Sequence, residues 1–447
     1  MRYSTFETDV EEPTDYPLKS KNLLVDRDLS VWVVAMPEKL AIEGGKPVRE
    51  KPLRGGWPGA MMIGEEEKKA VLEVLENKSL FRYYGPNPKY KVAQFEKEFA
   101  EFIGTRYALA VTSGTAALNV GIAALEVGPG DEVIVPAITF IASAGAVACQ
   151  RAVPIFAEID YSLGLDPEDV EKKITERTKA IMPVHLQGVP CRMDELMEIA
   201  EKHGLKVIED CAQAAGAKYK GRRVGSIGDV GAFSLQLNKL ITCGDGGVVT
   251  TDDEEIYEKA VRYHDHGFFR GKEGGEPFVG QVYRMNELSG AVALEQLRKL
   301  DKIISLLRRV YDRVIDGIKD VDGIKLRETP DADGVAGVSV CFFTEDIETA
   351  DKFIAALRAE GIPAGRLYGG KPVYSLPQIL HQRTLNKAGC PWRCPLYKGK
   401  VEYRMGMCPK AEDIAMRAIF IYLSPLYTLQ DADDIIHAVR KVAENLL

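Results

Sequence analysis

The chain is short of the features that mark several large classes of protein. No apolar run approaches the roughly 20 residues that a membrane-spanning helix needs. Positive charge is not in excess: 58 Lys and Arg stand against 66 Asp and Glu, giving a net charge of −8 and a pI of about 5.6. No basic block interleaved with aromatics offers a nucleic-acid surface, so neither nucleic acid nor membrane is an expected partner. The first residues lack the positive start of a secretory signal and carry Glu7, Asp9, Glu11, Glu12 and Asp15 instead. No CxxC pair occurs, and the eight cysteines are scattered, several within apolar runs where cysteine behaves as a small hydrophobe. A reduced, cytoplasmic protein is expected. Cys390, Cys394 and Cys408 form the one cluster; without a CxxC or a paired histidine, free thiols are favoured over a metal site, and no metal is expected. Internal repeats and low-complexity tracts are also missing.

What remains is a long, apolar-rich chain of 447 residues, 46% hydrophobic, able to bury a large core in two domains. Residues 1–39 are polar and acidic up to Val31-Trp32-Val33-Val34 and read as a loosely held N-terminal extension, with Met36 a candidate start of the native protein. From about 64 to 300, strand and helix patterns alternate. Tyr107 to Val111, Glu132 to Val135, Ile155 to Ala157, Ala180 to Val184, Leu205 to Glu209, Val230 to Leu235 and Val248 to Thr250 read as short buried strands. Glu65 to Glu76, Tyr90 to Ile103, Ala116 to Leu125 and Met193 to His203 read as helices. The pattern predicts an α/β domain over 40–300, with a mostly parallel sheet covered on both faces. A long helical stretch is expected over about 286–319. Strands at Gly323 to Leu326, Val338 to Phe343 and Ala418 to Leu423, with helices at Glu348 to Glu360 and Leu429 to Leu447, predict a smaller α+β domain over 301–447. Residues 364–410, rich in Gly, Pro and Cys, read as a long loop of the kind that lines active sites.

Three elements carry chemistry. Ser113-Gly114-Thr115 joins a strand to a helix, where free N–H groups and the helix dipole favour a phosphate; a plain N-cap is the alternative. Asp210 ends an apolar strand, at the edge where parallel sheets bind ligands. A buried carboxylate there needs a cation such as a protonated pyridine nitrogen; capping the next helix is the alternative. Lys239 follows a strand 29 positions later and could form a Schiff base with an aldehyde, then act as a base once displaced. Amine, carboxylate and glycine turn together suit pyridoxal 5'-phosphate (PLP). Around them, Ser234 could share the phosphate, Gln213 the ring hydroxyl, and Phe140 could stack on the ring or simply fill the core. His185, Tyr84, Asn238 and Arg284 are candidate substrate contacts, with Arg82 and Tyr83 beside them; a structural role for His185 is equally open.

These residues resemble those of the DegT/DnrJ/EryC1/StrS family of PLP-dependent sugar aminotransferases, of the aspartate-aminotransferase-like fold type I. The markers are Leu40-Ala41-Ile42-Glu43-Gly44-Gly45, Ser113 to Leu118, Glu209 to Ala214, Phe233 through Lys239 to Gly247, and Tyr283 to Leu288. The resemblance implies that Thr115 and Ser234 bind the phosphate, Phe140 stacks on the ring, Asp210 pairs with its nitrogen, Gln213 meets its hydroxyl and Lys239 holds the internal aldimine. It implies a homodimer with shared active sites, the stretch before Tyr283 reaching into the neighbour. One departure stands out: Val282 replaces the asparagine often found there, which puts that contact in doubt unless Gln281 substitutes. Lys239 argues against the family's dehydratases, which carry histidine. Gln236 to Lys239 and Phe81 to Tyr84 look more like enzymes acting on keto-cyclitols or octulosonate sugars than on nucleotide-linked 4-keto sugars. The expected reaction is ping-pong transfer from glutamate or glutamine to a keto sugar or keto-cyclitol. A sugar lyase or dehydratase, and a non-catalytic sensor of the same fold, are the rivals.

Overall fold

The computed structural model describes residues 37–447 apart from 273, 276 and 386, so the expectations for the N-terminal extension and Met36 lie outside the described residues. Short runs of four or five residues, nearly all buried, become the strands of the main sheet. In chain order they are β1 (Tyr107–Val111), β2 (Glu132–Pro136), β3 (Val153–Ala157), β4 (Thr178–Ile181) and β5 (Lys206–Asp210). A small hairpin of β6 (Lys218–Tyr219) and β7 (Arg222–Arg223) follows, then β8 (Val230–Ser234) and β9 (Gly247–Thr251). The hairpin apart, they form one seven-stranded sheet in the order β1-β9-β8-β5-β4-β2-β3. Only β9 runs against its neighbours; the pairs among β3, β2, β4, β5 and β8 are parallel. This is the mixed, mainly parallel sheet of fold type I.

Small residues let one helix lie close on this sheet. In Gly114–Ala124, Gly121 faces Val230 so tightly that a Cβ there would come within 2.8 Å of it. That contact seats the helix N-terminus at the C-terminal edge of the sheet. A second sheet holds β10 (Lys325–Leu326), β11 (Ser339–Phe343), β12 (Ala364–Gly365) and β13 (Ala418–Tyr422), antiparallel in the order β10-β11-β13-β12. The helix Leu429–Leu446 packs its apolar stripe (Ile435, Ala438, Val439, Val442) in the same core as Leu307, Val310 and Val314 of the helix Leu300–Ile318. That core also contains Phe233 and Val248 of the large sheet, so one apolar cluster spans both sheets.

The helical stretch expected over 286–319 is there, as two consecutive helices. Glu287–Arg298 and Leu300–Ile318 meet at Lys299, whose ammonium turns back to Met62 O (3.1 Å), Glu66 (3.1 Å) and Glu67 (2.7 Å). Residues 364–410 contain the short turns Leu367–Gly370 and Val373–Ser375 and the helical turn Pro377–Leu380 within otherwise irregular chain. All eight cysteines are free; Cys394 packs with Val153 and Tyr397, while Cys408 lies in a different apolar cluster. No helix among the described residues is long and apolar enough to cross a membrane.

Candidate active site

A cavity of about 590 Å³ opens at the C-terminal ends of β1, β5 and β8. Ser113, Gly114 and Thr115 enter it from the end of β1, Asp210 from β5 and Ser234 from β8. Ser113 caps the following helix, its Oγ accepting the Ala116 N–H at 3.1 Å. The N-cap reading therefore holds for this side chain, and it leaves the first turn of the helix facing the cavity. Gly114 is required for closeness: a Cβ there would lie 2.6 Å from Ser234 Cβ. Ser234 is buried, and its Oγ sits 3.4 Å from the Gln236 N–H.

Asp210 is almost fully buried. One carboxylate oxygen accepts Ser143 Oγ–H at 2.8 Å, the other the Ala212 N–H at 3.1 Å. Burial pushes its carboxyl above the usual range, and these two hydrogen bonds and the Lys239 charge act against that push. Lys239 hangs in the loop after β8, which is tied to the chain's early residues by Gly59 N–H to Lys239 O at 3.1 Å. Burial lowers its amine below the ordinary lysine range, while Asp210 pulls it back up. The pair thus gives a partly desolvated amine and a buried anion facing one space.

Gln213 is held in one orientation. Its Oε1 accepts both the backbone N–H (3.1 Å) and the side-chain amide (2.8 Å) of Gln187, and its Nε2 donates to Tyr368 OH at 2.9 Å. One Nε2–H remains for a ligand. Phe140 is 55% exposed within the cavity, its ring 6.1 Å from that of Tyr368. It is therefore a wall of the pocket and not a core residue. Asn238 also lines the cavity. Sequence reasoning missed Trp57, Gln187 and Tyr368, which line it too. All three hold left-handed backbone (φ 53°, 51° and 52°), a strained state for such side chains that gathers at functional sites. Nothing in the run Gly55-Gly56-Trp57-Pro58 points to the cavity from sequence.

Three substrate candidates lie elsewhere, as do Arg82 and Tyr83 beside them. His185 is not at the cavity wall. Its ring is fully buried, with Nε2 3.0 Å from Glu209 and Nδ1 accepting the Cys191 N–H at 3.1 Å. That acceptor role puts the ring proton on Nε2, which donates to Glu209. Burial alone would raise the Glu209 carboxyl; His185 and the N–H groups of Gly225 and Gly228 outweigh it and hold it below the usual range. His185, Glu209 and Cys211 lie close enough to hold a metal, but hydrogen bonds occupy both ring nitrogens and both carboxylate oxygens. The Cys211 thiol is pushed up to about 12 by burial. Arg284 pairs with Asp265 and lies over the Phe81 ring. Tyr84, 65% exposed, packs its edge on Phe81. Both sit outside this cavity's lining, as does Arg82, which is buried against Glu96.

The sequence profile of the DegT/DnrJ/EryC1/StrS aminotransferase family matches residues 61–392. The spore coat polysaccharide biosynthesis protein SpsC of Bacillus subtilis is 35% identical, over 86% of this chain and 96% of its own length. The L-glutamine:2-deoxy-scyllo-inosose aminotransferase of Streptomyces fradiae is 32% identical, over 89% of this chain and 95% of its own. Among solved structures, Spr1654 of Streptococcus pneumoniae in its PLP form superposes with a TM-score of 0.74 at 25% identity, covering 89% of this chain and all of that one. A desolvated lysine, a buried carboxylate and a glycine-lined helix start are what that cofactor's aldehyde, ring nitrogen and phosphate require. The chain therefore belongs to the DegT/DnrJ/EryC1/StrS family and is a PLP-dependent aminotransferase.

Proposed function

We propose that this enzyme moves an amino group from glutamine or glutamate to the ketone or aldehyde of a sugar or cyclitol. The Streptomyces fradiae relative, whose name gives glutamine as donor and a keto-cyclitol as acceptor, supports both halves. When bound, PLP supplies the electron sink that stabilises negative charge on the donor's α-carbon. The helix start at Gly114-Thr115 and the Ser234 hydroxyl would hold the phosphate. Phe140 would cover one face of the ring, Gln213 would give its free Nε2–H to the ring hydroxyl, and Asp210 would pair with the ring nitrogen. Lys239 would be the covalent anchor and, once displaced, its Nζ would be placed to take the proton from the donor's α-carbon and hand it on. Asn238 and Trp57 also line the cavity, where they would be available to the acceptor.

The chain acts as a homodimer in the cytoplasm, its large domain over 40–300 and its small one over 301–447. Exposed Phe268, Val279 and Val282 support a partner's approach beside Arg284, and eight free thiols support a reducing compartment. The carrying observation is Lys239, its amine lowered by burial and facing Asp210 across the cavity. Borohydride reduction of the loaded enzyme, followed by peptide mapping, should label Lys239. Adding glutamine or glutamate should shift the visible absorbance and release one keto acid per site. Label at another lysine, or water loss from the sugar without keto-acid release, would reject the reading.

A further inference from the structure

Behind the Asp210 carboxylate runs a chain of two hydroxyls. Ser143 Oγ donates to Asp210 Oδ2 at 2.8 Å, and Thr139 Oγ1 lies 2.7 Å from Ser143 Oγ. Ser143 has one hydroxyl proton, and an ionised carboxylate can only accept it. Ser143 must then accept from Thr139, so the chain has one direction: Thr139 to Ser143 to Asp210. Thr139, Ser143 and Asp210 are 3%, 1% and 4% exposed, so water does not compete for these bonds. The carboxylate's backbone is pinned from the other side, with Asp210 N–H donating to Pro183 O at 2.8 Å and His185 N–H to Asp210 O at 3.1 Å. Ser143 stands in the first turn of the helix Ile141–Cys149, and Phe140 caps that helix. A single five-residue segment thus places an aromatic wall in the cavity and a hydroxyl donor behind the buried acid.

We propose that Ser143, oriented by Thr139, is a positioning residue for transamination. It keeps the Asp210 carboxylate anionic and fixed in rotation, so that the ring nitrogen of bound PLP stays protonated. The inference rests on the reading that Asp210 faces that nitrogen. Burial favours a neutral acid, which would be no counter-ion at all; hydrogen bonds from Ser143 and Ala212 resist it, together with the nearby Lys239 and His185. A residue that merely filled space would answer to side-chain volume. A positioning hydroxyl answers to the presence of its proton.

The test compares Ser143→Ala and Thr139→Val, which remove hydroxyls, with Ser143→Thr and Thr139→Ser, which keep them. Two measurements are made on each besides activity: PLP affinity of the apoenzyme, and the pH midpoint of the loaded enzyme's visible absorbance. Losing positive charge on the ring nitrogen tightens the chromophore's hold on its own proton, so the midpoint should rise in Ser143→Ala. Affinity should fall about tenfold, as when a hydrogen bond to a charged group is lost. Thr139→Val should move both readings the same way by less, and it acts without touching Asp210 should Ser143→Ala fold poorly. Ser143→Thr and Thr139→Ser should stay near wild type. Asp210→Asn is the reference and should shift both readings furthest. If Asp210→Asn shifts neither, the reading of Asp210 falls and the proposal with it. If Asp210→Asn shifts both while Ser143→Ala and Thr139→Val shift neither, or if Ser143→Thr matches Ser143→Ala, the relay alone is overturned.

Discussion

Lys239 is set between two opposed effects. Burial favours its neutral amine, and the Asp210 charge favours the ammonium. Burial wins, so the amine deprotonates below the ordinary lysine value of 10.5. Only the neutral amine attacks an aldehyde. The rate at which apoenzyme captures PLP should therefore rise with pH and level off below pH 10.5. In Asp210→Asn the opposing charge is gone, and the midpoint should move lower still. Stopped-flow absorbance across pH would show it; an unchanged midpoint in the variant would mean that the two side chains do not sense each other. Lys239→Ala should lower turnover by about 10³-fold, the size expected when a positioned acid–base group is removed, while the cavity still admits PLP. At this scale, legibility followed the strand ends. Ser113, Gly114, Thr115, Asp210 and Ser234 sit just past or at the end of an apolar run, and the sheet's geometry carries each to the same edge. His185 also follows such a run, yet its ring turns inward to Glu209. No sequence pattern reports the direction of one side chain after a strand, and the local draw was a carboxylate 24 residues on. Trp57, Gln187 and Tyr368 come from loops far apart in the chain and meet only in the folded cavity.

At the scale of elements, the joint between β1 and the helix Gly114–Ala124 determines whether a phosphate fits. Gly114 lies against Ser234 with no room for a methyl group. Gly114→Ala must push the helix start away from β8, a strain of about 1–3 kcal/mol for an overpacked site. PLP affinity should fall about tenfold or more, since about 1.4 kcal/mol corresponds to a factor of ten. Binding of pyridoxal, which lacks the phosphate, should change far less. Equal losses for both ligands would show that Gly114 serves the ring pocket and not the phosphate. Most elements were legible because their periodicity and their burial agree; Met193–His203, stopped by Gly204, has the expected ends. The helical stretch expected over about 286–319 is helical at every position from 287 to 318 but Lys299. Apolar spacing runs on through Leu297 and Leu300, while Lys299 between them, the one position outside the two helices, pairs with Glu66 and Glu67. An ion pair across more than two hundred residues leaves no periodic trace.

For the whole molecule, Glu360 and Lys441 fasten the described N-terminal segment to the second sheet's helices. Both side chains are buried; Glu360 accepts the N–H groups of Ala41 and Val48, and Lys441 donates to Glu360 and to Lys46 O. Removing the cation by Lys441→Met leaves a buried carboxylate without its partner, which costs about 3–5 kcal/mol. Equilibrium denaturation should register that loss without a change in the loaded enzyme's absorbance, because the clamp is not part of the cavity lining. The larger question is how two copies meet. Val282 is 45% exposed and bridges Asp265, the residue that also holds Arg284 and Arg270. Its neighbour Gln281 is already engaged, its Oε1 accepting Tyr283 OH at 2.7 Å and its amide 3.4 Å from Tyr263 OH. In the proposed homodimer this edge faces the partner's phosphate with a side chain that can give it nothing. Val282→Asn supplies an amide donor, and PLP should then survive dialysis longer than in the natural protein. The gain should vanish on dilution below the concentration at which sedimentation shows the dimer dissociating, because the donor acts on the other subunit's site. A gain that persists in the monomer would place residue 282 near its own cofactor. No gain at all, in a protein shown to be dimeric, would mean that this edge does not reach the partner's site.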